Sequence, residues 1–187
     1  EQDSVIGGQF NYASQIPGKE EFKETLRYFA QRVQELGIDV RLGQRVLAEA
    51  LSDFDEVIIA TGIVPRIPKI AGIAHPKVLS YLDVLRHHRP VGQKVAIIGA
   101  GGIGFDVAEY LVSGGDSVTL SPDRWLREWG VDKEVRERGG LLPAEAPHPA
   151  REIWLLQRKS SKVGASLGKT TGWIHRASLQ KYQVNMH

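Results

Sequence analysis

Apolar positions in the second half of the chain predict a strand that runs directly into a helix. Lys94 is followed by the continuous apolar run Val95–Ile98, which is typical of a strand buried in a parallel sheet. After a few small residues comes an amphipathic stretch from Phe105 to Leu111, the pattern of a helix with one face against a core. The pattern therefore predicts a strand, a tight turn and a helix over Gly102–Val112.

The first half of the chain carries one helical pattern and two short apolar runs. Pro17–Gly37 is predicted to be a helix because its apolar residues recur at intervals of four and three, which forms one stripe. The stripe consists of Phe22, Leu26, Phe29, Val33 and Leu36. Ile38–Leu42 and Val57–Ala60 are predicted to be strands. The proline-rich segment 65–76 predicts an irregular crossover, and Ser80 is a candidate N-cap for a short helix that ends at His88.

Two segments compete to be the strand that follows the Gly102–Val112 helix. Ser117–Leu120 begins about 20 residues after the first glycines, where the second strand of a dinucleotide fold belongs. Ile153–Leu156 comes after a polar stretch that is predicted to be an insertion, at about residues 121–151. A helix predicted over Thr171–Tyr182 and a strand predicted over Val184–Met186 continue a nucleotide fold from the later candidate, which is therefore favoured.

The glycines between the first strand and the helix form a G-x-G-x-x-G pattern, here called the glycine fingerprint (residues 99–104). Gly99 permits a sharp turn, Gly101 lets the backbone approach a pyrophosphate, and Gly104 lets the helix lie close to the strand. The diphosphate would lie on the free N–H groups of the helix that begins near Gly102. A glycine turn without a ligand is the alternative, and the flanking strand and helix favour dinucleotide binding over it.

The residues after the second strand predict which nicotinamide cofactor is bound. An NAD site usually has an acidic residue there that accepts the ribose hydroxyls, whereas a 2′-phosphate requires positive charge. After Ile153–Leu156, Gln157 stands at the position of the acid, and Arg158 and Lys159 follow. NADPH is therefore favoured over NADH, with these two residues, the basic loop, binding the phosphate. An exposed basic loop without a ligand is the alternative.

A second motif, Ala60, Thr61 and Gly62, ends the apolar run that begins at Val57. Alone it would be a turn at a strand end. Followed by a proline-rich crossover and the glycine fingerprint, it has the order of flavoproteins in which a nicotinamide domain is inserted in a flavin domain. The predicted fold class is therefore α/β, a Rossmann-like paired dinucleotide-binding architecture with both halves incomplete. Residues 1–89 would be a partial FAD-binding domain and crossover, and residues 90–187 a partial NAD(P)H-binding domain.

Composition narrows the function classes. The chain has 24 Lys and Arg against 22 Asp and Glu, a net charge of +2, which argues against nucleic-acid or anionic-membrane partners. No apolar stretch approaches the roughly 18–20 residues that span a bilayer, and no signal peptide is apparent, so a soluble cytoplasmic protein is expected. There are no cysteines, and the histidines lack metal-binding spacing, so no metal site is predicted.

Several segments match one family in the family's own order. They are Ile6–Asn11, Ile16–Phe22, His75–Leu85, Lys94–Asp106, Leu156–Lys159 and Leu167–Arg176. In these segments the chain resembles the bacterial NADPH-dependent 2,4-dienoyl-CoA reductases, which are related to old yellow enzyme. The departures concentrate between residues 113 and 149.

The resemblance implies a longer parent protein. Such a protein carries a barrel that holds FMN and the substrate, a segment with a 4Fe–4S cluster, and then the FAD and NADPH domains. Hydride passes from NADPH to FAD, electrons pass through the cluster to FMN, and a dienoyl-CoA is reduced in the β-oxidation of unsaturated fatty acids. This chain would supply the NADPH step only. FAD binding is expected to be weak or absent, the dienoyl-CoA would bind only to the missing barrel, and no catalytic residue is assigned.

Other interpretations remain open from the sequence. Amine dehydrogenases and enoate reductases share this layout, although the intact glycine fingerprint and the basic loop favour a working NADPH site. A nucleotide-binding or interaction module without redox activity is the alternative from a different class. Trp173 is expected to be a buried core aromatic, and a place lining the nicotinamide cleft is the alternative. Asp106 and Glu109, on the fingerprint helix, are expected to be exposed or to pack at a domain interface.

Overall fold

The computed structural model describes all 187 residues of the chain. They form two compact units. The first unit comprises Glu1–Ser14 and Glu20–Ser80, and the second comprises Gln15–Lys19 and Tyr81–His187. The helix that follows Ser80 therefore belongs to the second unit, whereas the sequence divided the chain between residues 89 and 90.

The regular elements of the first unit are helical. They are α1 (Phe10–Ala13), α2 (Phe22–Glu35) and a 3₁₀ helix (Ala48–Leu51). The predicted long helix is confirmed as α2, although it begins at Phe22 and not at Pro17. Its apolar stripe packs only partly: the ring of Phe22 meets that of Phe10 edge-on at 4.9 Å, while Phe29 is 55% exposed. The first unit therefore has little core of its own.

Both strands predicted in the first unit are wrong. Ile38–Leu42 and Val57–Ala60 form no strand, and Ile58 is 91% exposed. An apolar run becomes a strand only when a neighbouring strand accepts its backbone hydrogen bonds. The only sheet is in the second unit, so neither run finds a partner. The segment 65–76 has no helix or strand, as predicted.

The second unit is built on a three-stranded parallel sheet. Its elements are α3 (Tyr81–Leu85), β1 (Lys94–Ile98), α4 (Gly102–Ser113), α5 (Pro122–Trp129), β2 (Glu152–Leu156), α6 (Gly172–Lys181), β3 (Asn185–Met186) and two 3₁₀ helices (Val118–Leu120 and Arg138–Gly140). The strand order is β1-β2-β3, with α4 and α6 in the two crossovers. This is the arrangement of a mononucleotide-binding half of a Rossmann-like α/β fold.

The later of the two candidate second strands is confirmed, because Ile153–Leu156 lies in β2. It pairs along the whole of β1, from Lys94 opposite Glu152 to Ile98 opposite Leu156. The competing segment Ser117–Leu120 is not a strand but contains a 3₁₀ helix, and Leu120 is 68% exposed. Burial explains the outcome, since Ile153 and Leu155 are almost inaccessible and each such side chain contributes about 1.5–3 kcal/mol.

The core of the second unit lies between α4, α6 and the sheet. Phe105 and Ala108 of α4, Leu155 of β2 and Leu179 of α6 are almost completely buried. The structure also confirms two predicted helices and the last strand, with shifts of about one residue at their ends. The helices were predicted over Gly102–Val112 and Thr171–Tyr182. No helix in either unit has the length and apolar character needed to cross a membrane.

Candidate nucleotide-binding site

The glycine fingerprint forms the turn between β1 and α4. Gly99 has a φ of +119°, a conformation that only glycine adopts without strain, and its N–H donates to the Leu156 carbonyl at 2.8 Å. Gly101 is the extended N-cap of α4, and the Phe105 N–H donates to its carbonyl at 3.1 Å. The first N–H groups of α4, from Gly102 on, have no partner within the helix and are free to bind an anion.

The glycines of the turn have different surroundings. A Cβ on Gly104 would lie 3.0 Å from the Gly99 carbonyl carbon, and closer still to the Gly99 oxygen. A Cβ on Gly101 would meet no atom within 4 Å. Gly104 is therefore required for the close packing of α4 on β1, whereas Gly101 leaves open space where a ligand can approach the backbone.

The basic loop follows β2 at the same edge of the sheet. Because β1 and β2 are parallel and Ile98 lies opposite Leu156, the residues after both strands emerge side by side. Arg158 and Lys159 are exposed and form no ion pair. The structure thus places these two charges at the same edge of the sheet as the glycine fingerprint, and their binding of NADPH stays a prediction.

Gln157 has a role that the sequence did not predict. Its backbone N–H donates to the His187 carbonyl at 2.8 Å, which ties it to the end of β3. Its side-chain Nε2 donates to the carbonyls of Lys159, at 2.8 Å, and Ser161. The side chain at the position of an acidic ribose ligand therefore shapes the basic loop. Only the side-chain to backbone geometry shows this, since glutamine in a loop carries no distinctive sequence signal.

Two acidic residues of α4 are paired within the second unit. Lys19 Nζ lies 2.6 Å from Asp106 Oδ1, and His175 Nδ1 lies 3.0 Å from Glu109 Oε1. Asp106 and Glu109 are three residues apart and therefore lie on one face of α4. This spacing is the sequence signal that could have indicated a basic partner for each carboxylate on that side of the helix. Both residues are thus accounted for by ion pairs that connect α4 with the 15–19 segment and with α6.

The hydrogen bond that His175 Nδ1 donates to the Glu109 carboxylate raises the pKa of His175, while burial of the ring lowers it. A histidine whose pKa is higher in the folded state stabilises that state fully below its ordinary pKa of 6.5. The stabilisation is lost as pH rises through the higher folded value.

We therefore expect the free energy of unfolding to fall by roughly 1 kcal/mol between about pH 6 and about pH 9 because of this pair. Urea unfolding at both pH values measures the change. His175→Ala should remove that component of the pH dependence, while His148→Ala, at an exposed histidine, should keep it. An unchanged pH profile in His175→Ala would contradict the assignment.

Asp132 is a buried carboxylate that accepts hydrogen bonds from the loop that follows it. Burial opposes its ionisation, but the backbone N–H groups of Arg136, Glu134 and Glu137 and the Arg136 guanidinium donate to the carboxylate and lower its pKa. The carboxylate therefore holds the loop after α5.

No group of three or more His, Cys, Asp or Glu residues is placed to hold a metal ion.

Ala60, Thr61 and Gly62 belong to the first unit. They are exposed and lie in a segment without helix or strand, and Gly62 has a φ of +74°. The first unit contains no strand–turn–helix. Trp173, at the start of α6, is 67% exposed, so its expected place in the core is wrong.

The family comparison agrees with this geometry. A model of the pyridine nucleotide-disulphide oxidoreductase family matches residues 19–138, a range that includes the glycine fingerprint. The fold also matches a solved structure of a 2-naphthoyl-CoA reductase in complex with 2-naphthoyl-CoA, with a TM-score of 0.74 and 23% identity. That match covers 100% of this chain and 23% of the solved chain. It shows that the two chains share a fold.

Curated relatives are redox enzymes of greater length. A bilirubin reductase of Mediterraneibacter gnavus is 37% identical over 122 residues, 64% of this chain and 19% of that protein. A metal reductase of Desulforamulus reducens is 28% identical over 193 residues, 99% of this chain and 28% of that protein. An NADH oxidase of Thermoanaerobacter brockii is 32% identical over 148 residues, 76% of this chain and 22% of that protein. The chain thus spans less than a third of these relatives.

Proposed function

The chain belongs to the pyridine nucleotide-disulphide oxidoreductase family, and on that basis we propose that its second unit binds NADPH for hydride transfer to FAD in a longer flavoprotein reductase. Membership of the family indicates FAD and pyridine nucleotide binding, and the relatives described above are oxidoreductases. The observation that supports NADPH is the position of Arg158 and Lys159 beside the glycine fingerprint, at one edge of the sheet.

The residues at this edge fit NADPH. The free N–H groups at the start of α4 would hold the pyrophosphate, and the open space at Gly101 lets it approach the backbone. Arg158 and Lys159 would bind the 2′-phosphate through charge-assisted hydrogen bonds. Gln157 would keep the loop in place. NADPH, when bound, supplies the hydride, and the chain contributes binding and orientation.

The rest of the proposed reaction lies outside this chain. The resemblance to 2,4-dienoyl-CoA reductases supports a dienoyl-CoA as the substrate of the longer protein, and FMN and a 4Fe–4S cluster as its further cofactors. Ala60, Thr61 and Gly62 are proposed to contact FAD there. Since the first unit contains no strand–turn–helix, the chain alone is expected to bind FAD weakly or not at all.

Calorimetric titration of the full chain with NADPH and with NADH tests the proposal. NADPH should bind at least about tenfold more tightly, because only NADPH carries the phosphate that the two basic side chains recognise. Equal affinities would contradict the role of the basic loop. Binding of neither nucleotide to a folded chain would favour the alternative, an interaction module without redox activity.

A further inference from the structure

A cavity of about 210 Å³ lies in the second unit, away from the glycine fingerprint. Its lining includes Val91 and Arg151, which come shortly before β1 and β2, and Leu111 and Gly114, at the end of α4. The cavity therefore lies at the edge where the strands begin, whereas the glycine fingerprint and the basic loop lie where the strands end. The two sites are separate.

Two arginine residues, Arg89 and Arg151, are among those that line this cavity. Arg151 donates one bond to the Leu111 carbonyl, at 3.0 Å, but its Nε is buried and has no hydrogen-bond partner. Arg89 approaches Asp83 with one nitrogen only, at 3.5 Å. Each guanidinium has five N–H donors in a planar fork, so both retain donors for a ligand.

Two carbonyl groups near the end of α4 already accept hydrogen bonds at this point. The Leu111 carbonyl accepts from Arg151, and the Val112 carbonyl accepts from the Ala150 N–H at 2.8 Å. Free carbonyl groups at a helix end would repel an anion, and these two are occupied. His88, also in the lining, has a φ of +47°, and such non-glycine strain is concentrated at functional sites.

We propose that this cavity binds a small oxyanion, a phosphate or a carboxylate group, held by Arg151 and Arg89. The planar guanidinium fork matches two oxygens of such a group. A cation would face two positive charges. The electrostatics and the donor geometry therefore agree on an anion that has several oxygen acceptors.

Titration of the ¹⁵N-labelled full chain with potassium phosphate, and separately with potassium acetate, tests this inference at constant ionic strength. The backbone amides of Tyr110, Gly114 and Arg151 should shift in a saturable way with at least one of the two anions. Potassium chloride should not reproduce the shifts. Arg151→Gln should raise the apparent dissociation constant at least about tenfold, since a charge-assisted contact is lost.

Arg89→Gln provides an independent variant, because Arg151 also caps α4 and its replacement changes the helix end. Arg89→Gln should weaken binding by about threefold or more. Arg158→Gln, which removes the same charge at the nucleotide edge, should leave the cavity shifts unchanged. Shifts confined to residues 99–102, shifts that chloride reproduces, or affinities unchanged in both cavity variants would overturn the proposal. None of these outcomes depends on NADPH binding.

Discussion

Replacing both Arg158 and Lys159 by alanine is expected to weaken NADPH binding about 10- to 100-fold and to leave NADH binding nearly unchanged. Hydrogen bonds to charged groups contribute about 1.5–3 kcal/mol, and two exposed side chains share one phosphate, so their contributions are partly screened. NADH lacks that phosphate and loses nothing. Calorimetric titration of the variant with both nucleotides, beside the unaltered chain, measures the difference.

The matched control removes the same charge elsewhere. Arg45 and Lys69 are exposed residues of the first unit, and their replacement by alanine should not change the preference for NADPH. An equal loss of NADPH and NADH affinity in the Arg158 and Lys159 variant would show that the basic loop contacts the shared part of the dinucleotide. Unchanged NADPH affinity would show a solvated loop with no ligand.

Gly104→Ala is expected to destabilise the second unit by about 3 kcal/mol. The added Cβ would collide with the carbonyl of Gly99, which is backbone and cannot move aside as a flexible side chain can. Helix α4 would have to lift from β1 and β2, which exposes part of the core around Phe105. Urea unfolding followed by circular dichroism measures the loss of stability.

Gly101→Ala separates packing from ligand binding in the same turn. Gly101 has a φ of −87° and no neighbour where a Cβ would stand, so the stability should change by less than about 0.5 kcal/mol. NADPH affinity should nevertheless fall about tenfold or more, because the methyl group occupies the space through which the pyrophosphate approaches. A stable Gly104→Ala variant, or a Gly101→Ala variant with full affinity, would contradict these roles.

Local sequence was enough to predict the strand–turn–helix of the candidate site. The run Val95–Ile98 and the spacing of the glycines predict β1, its turn and α4 from residues close in the chain, although β1 forms only by pairing with β2. The conformation of Gly99 and the packing at Gly104 follow from the same short segment. Helix α2 was predictable for the same reason, since its periodicity is contained within its own residues.

Tertiary structure decided what depends on distant partners. An apolar run becomes a strand only if a neighbouring strand hydrogen-bonds to its backbone. Ile153–Leu156 pairs with β1, whereas Val57–Ala60, which is also apolar throughout, pairs with no strand. The ion pairs Lys19–Asp106 and His175–Glu109 join residues far apart in the chain. The position of the basic loop beside the glycine fingerprint likewise depends on two segments that are distant in the chain. The sequence by itself therefore determined the glycine fingerprint and the charges available to a nucleotide. Only the folded chain decided which strand places those charges at the edge of the sheet where the fingerprint lies, because a backbone hydrogen bond needs both its donor and its acceptor in place.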